Sequence, residues 1–153
     1  MKLGLGLLAF AVSLQAVTLV DHGKSTYSIC LSASASPSER HGAQELQRFI
    51  EEMSGAKLPI VDESTNPTGH LVLLGDSAVL RKLAPGIDFA SLGAEGFVLR
   101  TAGSNVVVAG GRQRGTMYGV YTLLDKLGCR WFTPQVSRIP HRTTIRIADL
   151  SET

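Results

Sequence analysis

Six residues, GGRQRG (110–115), set two guanidinium groups in a turn just ahead of a helix-like segment. Arg112 and Arg114 beside a helix N-terminus suit an anion, because free backbone N–H groups and the helix dipole both favour negative charge there. A nucleotide-phosphate loop is excluded by spacing. That loop needs GxxxxGK followed by Ser or Thr, and here Thr116 stands where the Lys would be. The GxGxxG dinucleotide pattern is also missing. The competing and preferred reading is a solvated turn carrying two exposed arginines, since surface charge rarely needs a special role. Gly119 supports it. Glycine inside a helix costs about 1 kcal/mol relative to Ala, so Gly119, four residues after Gly115 on the same face, points to close backbone packing. Gly110, Gly111, Gly115, Gly119 and the helix-ending Gly128 are therefore read as structural residues.

Glycosidic cleavage needs two carboxyl groups facing each other across a cleft. Glu95 and Asp125 are the nearest candidates, but neither has a partner visible in sequence, and they read as a strand-edge charge and a solvated helix residue. Trp131, Phe132, Tyr118 and Tyr121 can form a platform for sugar rings; the preferred reading of these aromatics is core packing. His22, His41, His70 and His141 are isolated, without HExxH or paired spacing, so no metal site and no cofactor is expected. No GxSxG nucleophile elbow occurs. Cys30 and Cys129 form no CxxC; they are read as two small buried hydrophobes, with a disulfide between them as the alternative.

These residues need a scaffold, and its pattern is legible. VTLV (17–20) and TYSICL (26–31) flank DHGKS and predict a β-hairpin. Ser36, Pro37 and Glu39 form a capping-box start. The helix that follows places Ala43, Leu46, Phe49, Ile50 and Met53 on one face and ends at Gly55. KLPIVDE (57–63) is a short strand, and HLVLLGD (70–76) is nearly all apolar, as in a strand buried on both faces. Ser77 to Leu83 predicts a short helix, followed by an irregular PGIDFASLGA. EGFVLRTA and NVVVAGG then flank Gly103-Ser104 as a second hairpin. Thr116 to Leu127 predicts the second long helix, with Met117, Val120, Tyr121, Leu124 and Leu127 on its apolar face. CRWF (129–132) is a short extended piece, and TTIRIADL (143–150) a last strand. The order implies an α+β fold: a mixed β-sheet with two main helices packed on one face.

With 153 residues and a formal charge of +2, the chain has room for one domain, and its basic residues form no stripe of the kind that binds nucleic acid. MKLGLGLLAFAVSLQA (1–16) reads as a secretory signal peptide, with Lys2, an apolar Leu3–Leu14 run and Ala16 before the cut. The run is too short to span a bilayer of roughly 30 Å. The domain proper is then 17–153, secreted or periplasmic, without a further membrane segment.

Four stretches carry a resemblance: AQELQRFIEEMSGAKLPI, EGFVLRT, VVVAGGRQRGTMYGVYTLLDKLGCRWFTP, and Ile139-Pro140 with TTIRI. From about Ser36 to Ile147 the chain resembles the N-terminal domain of family-67 α-glucuronidases. It is also similar to the domain before the barrel in family-20 β-N-acetylhexosaminidases and in large bacterial hydrolase-like proteins. The resemblance implies a zincin-like sheet-and-helix arrangement without zinc. It also implies an accessory role in xylan or polysaccharide degradation, with the catalytic carboxylates in a following barrel of roughly 250 residues that these 153 residues do not include. No catalytic residue can be carried over. The expectation is a non-catalytic accessory domain whose partner is a glycosidase barrel, with an autonomous carbohydrate-binding module and a small hydrolase as alternatives. Arg112, Arg114 and Trp131 are the candidate binding residues.

Overall fold

The structure is a computed structural model and describes residues 16–133 and 135–153. The leader assigned to residues 1–16 lies, except for Ala16, outside the described residues. A six-stranded mixed sheet runs in the order β10 (Ser151–Glu152), β5 (Phe97–Ala102), β6 (Asn105–Gly110), β4 (His70–Leu74), β2 (Tyr27–Leu31), β3 (Ile60–Asp62). Strands β6, β4, β2 and β3 are mutually parallel, and β5 joins β6 antiparallel through the Gly103-Ser104 turn. The central strands are apolar throughout because both faces are covered. Their pleat divides consecutive residues between two cores. Ile29, Leu31, Val72, Leu74, Val106 and Val108 join the larger cluster. Cys30, Leu71, Leu73, Val107 and Ala109 join the smaller one on the opposite face.

Two long helices, α1 (Pro37–Ser54) and α3 (Gly115–Lys126), cover the first face, and the short α2 (Ala78–Leu83) sits on the second with Leu80. Helix α1 starts on the capping box read from the sequence: Ser36 Oγ accepts from Glu39 N–H at 3.2 Å, and Glu39 Oε2 accepts from Ser36 N–H at 2.6 Å. It ends at Gly55, whose φ of 79° is left-handed. Its predicted apolar face is the buried one. Ser77 caps α2 by accepting from Leu80 N–H.

Three sequence expectations are corrected. The first is the 17–31 hairpin. The tight turn forms, with Asp21 and Lys24 exchanging backbone hydrogen bonds of 2.8 and 2.9 Å, but the strands diverge. Both edges of β2 are taken by its parallel neighbours β3 and β4, so β1 (Val17–Val20) pairs instead with β9 (Ile145–Ile147) in a separate two-stranded sheet. The second is the single last strand. Residues 143–150 contain only the short β9, and the chain rejoins the main sheet one strand later, as β10 against β5. The third is the alternative disulfide. Cys30 and Cys129 are free and buried, and the sheet separates them, because they belong to the clusters on its two faces. Burial pushes the Cys30 thiol up to about 11.

Two outcomes follow. A Cβ at Gly115 would run into the Gly96 carbonyl oxygen, while one at Gly119 would lie 2.9 Å from Val108 Cγ1, a side-chain atom with more room to yield. Gly115→Ala should destabilise by about 2–3 kcal/mol through overpacking. Gly119→Ala should cost roughly 1 kcal/mol, part of the clash being offset by helix propensity; urea denaturation of both variants measures the difference. Thiol titration without reductant should find neither cysteine reactive in the native chain and both reactive in denaturant; a zero titre in denaturant would mean a disulfide.

Candidate functional site

The turn after β6 is closed by its own chain. Gly111 N–H donates to Gly96 O at 2.9 Å, Arg114 N–H to Ala94 O at 3.1 Å, and Gly115 N–H to Gly111 O at 2.8 Å. The Ala94 and Gly96 carbonyls thus stand where an anion on the first turn of α3 would have to sit. Glycine makes this approach sterically possible: a Cβ on Gly110 would lie 2.6 Å from Gly96 O, and Cβ atoms on Gly111 and Gly115 would come closer still to the Gly93 and Gly96 carbonyls. Both arginines have internal partners. Arg112 Nη2 donates to Ser34 O at 2.6 Å, and its own carbonyl accepts from Ser36 Oγ at 3.0 Å, tying the turn to the α1 cap. Arg114 pairs with Glu95 at 2.9 Å. Gly128, with φ of 99°, turns the chain out of α3.

The chain leaving α3 forms a hairpin that the sequence showed only as an extended piece: β7 (Arg130–Thr133) against β8 (Val136–Arg138). Trp131 is anchored edge-on against Phe49 of α1, with ring centres 5.2 Å apart, and Tyr121 of α3, at 5.4 Å. Such pairs each contribute about 0.5–1.5 kcal/mol beyond burial. Trp131 nonetheless keeps 38% of its surface exposed, which corrects its expected place in the core. Arg130 fixes the hairpin's root to the helix rather than to the sheet: its Nη1 donates to Asp125 O at 2.6 Å and to Asp125 Oδ1 at 2.7 Å. Phe132 is 66% exposed and Val136 53%. Among the aromatic candidates, Tyr121 and Trp131 come together, while Tyr118 lies half-buried one turn away.

Beside Trp131 lies a polar group in which an i,i+3 helix pair, Glu45 and Arg48, meets a residue 76 positions away. Tyr121 OH donates to Glu45 Oε2 at 3.0 Å, and Arg48 grips both oxygens of the same carboxylate at 3.1 and 3.0 Å. The Arg48 guanidinium also lies 4.0 Å from the centre of the Phe49 ring. Burial raises the Glu45 carboxyl, but the hydrogen bonds from Arg48 and Tyr121 outweigh it and hold the group below its usual range. Burial and the Glu45 carboxylate push Tyr121 up to about 12. At the far end of the sheet, an open depression of about 760 Å³ is lined by Asp21, Thr26, Tyr27, His70, Ser104 and Arg146. Its rim is bonded to itself: Tyr27 OH donates to Ser104 O at 2.6 Å, and Thr26 Oγ1 meets His70 Nδ1 at 3.2 Å. Among the described residues, no group of three or more His, Cys, Asp or Glu side chains could hold a metal ion, and no helix is long and apolar enough to cross a membrane.

Fold and site together define an α+β module whose charged side chains are largely paired with one another and which carries, beyond its second long helix, an exposed aromatic hairpin. The chain belongs to the family described as glycosyl hydrolase family 67 N-terminus, whose model matches residues 12–123. It is 31% identical over 97 residues to a probable alpha-glucuronidase A of Aspergillus terreus (strain NIH 2624 / FGSC A1156). That match takes in 63% of this chain and only 11% of the length of that relative. Among solved structures, it is similar to a family GH115 4-O-methyl-alpha-glucuronidase with specificity for decorated arabinogalactans. The TM-score is 0.66 at 25% identity, over 89% of this chain and 18% of that one. The chain is thus an N-terminal domain of the glucuronidase type, and it spans only a small part of the length of the relatives it matches.

The Glu45 network has a pH signature. A carboxyl held below its unfolded value of about 4.3 stabilises the fold fully above that value, and loses the contribution as pH falls through the folded-state value. Glu45→Gln should therefore cost about 1 kcal/mol at pH 7. Urea denaturation from pH 7 down to pH 2 should show the gap to the parent chain closing below about pH 4.

Proposed function

We propose that this chain is the non-catalytic accessory domain of an exported, α-glucuronidase-like glycoside hydrolase that acts on xylan or a related polysaccharide. One observation carries the reading: the acids that sequence and structure bring forward for chemistry are each held by an arginine. Glu45 is bonded to Arg48, Glu95 to Arg114 at 2.9 Å, and Asp125 to Arg130 at 2.7 Å. A glycosidase instead needs one carboxyl free to protonate a leaving group and a second facing it. The family match and the small share of each relative that it covers support a barrel supplied elsewhere in a longer protein or on another chain. The leader-like residues 1–16 support export, to a secreted or periplasmic location. The layered sheet also supports assigning the arrangement found ahead of the barrel in β-N-acetylhexosaminidases, with zincin-like helices on one face.

A second reading, an autonomous carbohydrate-binding module, is favoured by the partly exposed Trp131 beside Tyr121. Incubating the full chain with glucuronoxylan fragments and N-acetylglucosamine-containing oligosaccharides separates the two. The expected result is no turnover and no saturable binding. Saturable binding abolished by Trp131→Ala would establish the module reading, and turnover abolished by replacing one carboxylate would overturn both.

A further inference from the structure

We propose that the outer face of the β7–β8 hairpin is the docking surface for the catalytic domain of a glucuronidase-type protein, one presenting an apolar patch ringed by carboxylates. The proposal rests on the accessory-domain reading and names the surface it uses. Among the described residues, the exposed large hydrophobic side chains are Leu83, Trp131, Phe132 and Val136, so three of the four belong to this hairpin. The register explains how they come to be exposed. Trp131 stands opposite Ser137 and Thr133 opposite Val136, so Phe132 is the extra residue of a bulge, a device that re-aims a side chain. The pleat then puts Thr133 and Val136 on the face opposite to Trp131, away from its anchor on Phe49 and Tyr121. Among the described residues, neither β7 nor β8 has another strand neighbour. A lone two-stranded hairpin is marginal in water, and covering its outer face would remove Phe132 and Val136 from solvent.

Charge and position identify the occupant. Residues 130–142 carry Arg138, Arg142 and His141 beside the Asp125-paired Arg130, and no Asp or Glu, so the complementary surface is acidic. Strand β10 reaches the C-terminal end of α3, from which the hairpin also leaves: Glu152 is paired with Lys126, four residues before Arg130. A domain joined beyond β10 would start near the end of α3 from which the hairpin leaves. In the matched relatives the corresponding region is accompanied by a far longer remainder, since it makes up 11% of one and 18% of the other. A glycan fits the face less well. Val136 offers no ring for a sugar to stack on, and the polar groups nearest Trp131 are bonded to one another.

The test titrates the full 153-residue chain by calorimetry against the Aspergillus terreus protein with its matched segment deleted, once a thermal melt shows that this probe is folded. The parent chain should bind, and Phe132→Ser combined with Val136→Ser should weaken binding at least tenfold. Both side chains are exposed, so the variant should keep the parent's melting temperature. Arg138→Glu should weaken binding too, and flatten its dependence on salt. Binding unaffected by these variants would overturn the proposal while leaving the accessory-domain reading in place. Failure of the parent chain to bind the folded probe would overturn both. Self-association of the parent chain that the variants abolish would assign the face to a second copy instead, and glucuronoxylan binding that they abolish would assign it to a glycan; either would overturn the proposal.

Discussion

The contact between the backbone of the β5–β6 region and the first turn of α3 is the constraint from which much of this structure follows. Gly110, Gly111 and Gly115 let the carbonyls of residues 93–96 lie against the turn, and Gly119 lets α3 lie flat on Phe97 and Val108. A side chain at Gly110, Gly111 or Gly115 would run into backbone and push the turn and helix off the sheet, while one at Gly119 would press only on the Val108 and Phe97 side chains. With α3 seated, α1 can pack beside it at Gly42, where a Cβ would lie 3.4 Å from Val120. The pair then covers one face of the sheet and encloses the larger core. The turn that looked suited to an anion is thus occupied by the protein's own backbone. Its arginines tie it to the α1 cap and to Glu95, where they have partners that a ligand would have to displace.

The same seating decides what α3 delivers at its other end. Gly128 redirects the chain, Arg130 grips the end of the helix at Asp125, and Trp131 lodges against Phe49 and Tyr121. Behind that ring the Glu45 carboxylate accepts a hydrogen bond from Tyr121 OH and holds Arg48, so α1 and α3 are joined by polar bonds as well as by packing. Exposed ion pairs contribute little individually, but this one is backed by a phenol, and only 15% of the Glu45 side chain is exposed. The inner face of the hairpin is therefore well anchored, while its outer face is left apolar and basic.

The long elements were legible because their signals are local. The capping box at Ser36–Glu39, the apolar face of α1, the Gly103-Ser104 hairpin and the doubly buried β4 all repeat a pattern within a few residues. The glycine reading of the 110–115 turn was legible for the same reason, since Gly119 inside a helix already signals close packing. Misreadings arose where a strand's partner lies far along the chain. Val17–Val20 has the composition of a hairpin arm and a genuine tight turn after it, yet its partner is Ile145–Ile147, because β3 and β4 hold both edges of β2. Trp131, a single Trp between a helix and a strand, reads as a core residue, but its position past the end of α3 leaves 38% of it exposed.

By itself the sequence determined the α+β class, the two long helices and their ends, the close helix–sheet approach and the resemblance to a glucuronidase front domain. Periodicity, caps and glycine placement express steric rules that act within a turn or two of chain. Only the tertiary structure decided which acids are held by arginines, that the Ala94 and Gly96 carbonyls fill the α3 entrance, and that the two cysteines lie on opposite faces of the sheet. It also decided that the chain leaving α3 doubles back with Phe132 turned outward. Each of these depends on groups brought together across long stretches of sequence, such as Glu45 with Tyr121 or β1 with β9, and no local pattern encodes such a meeting.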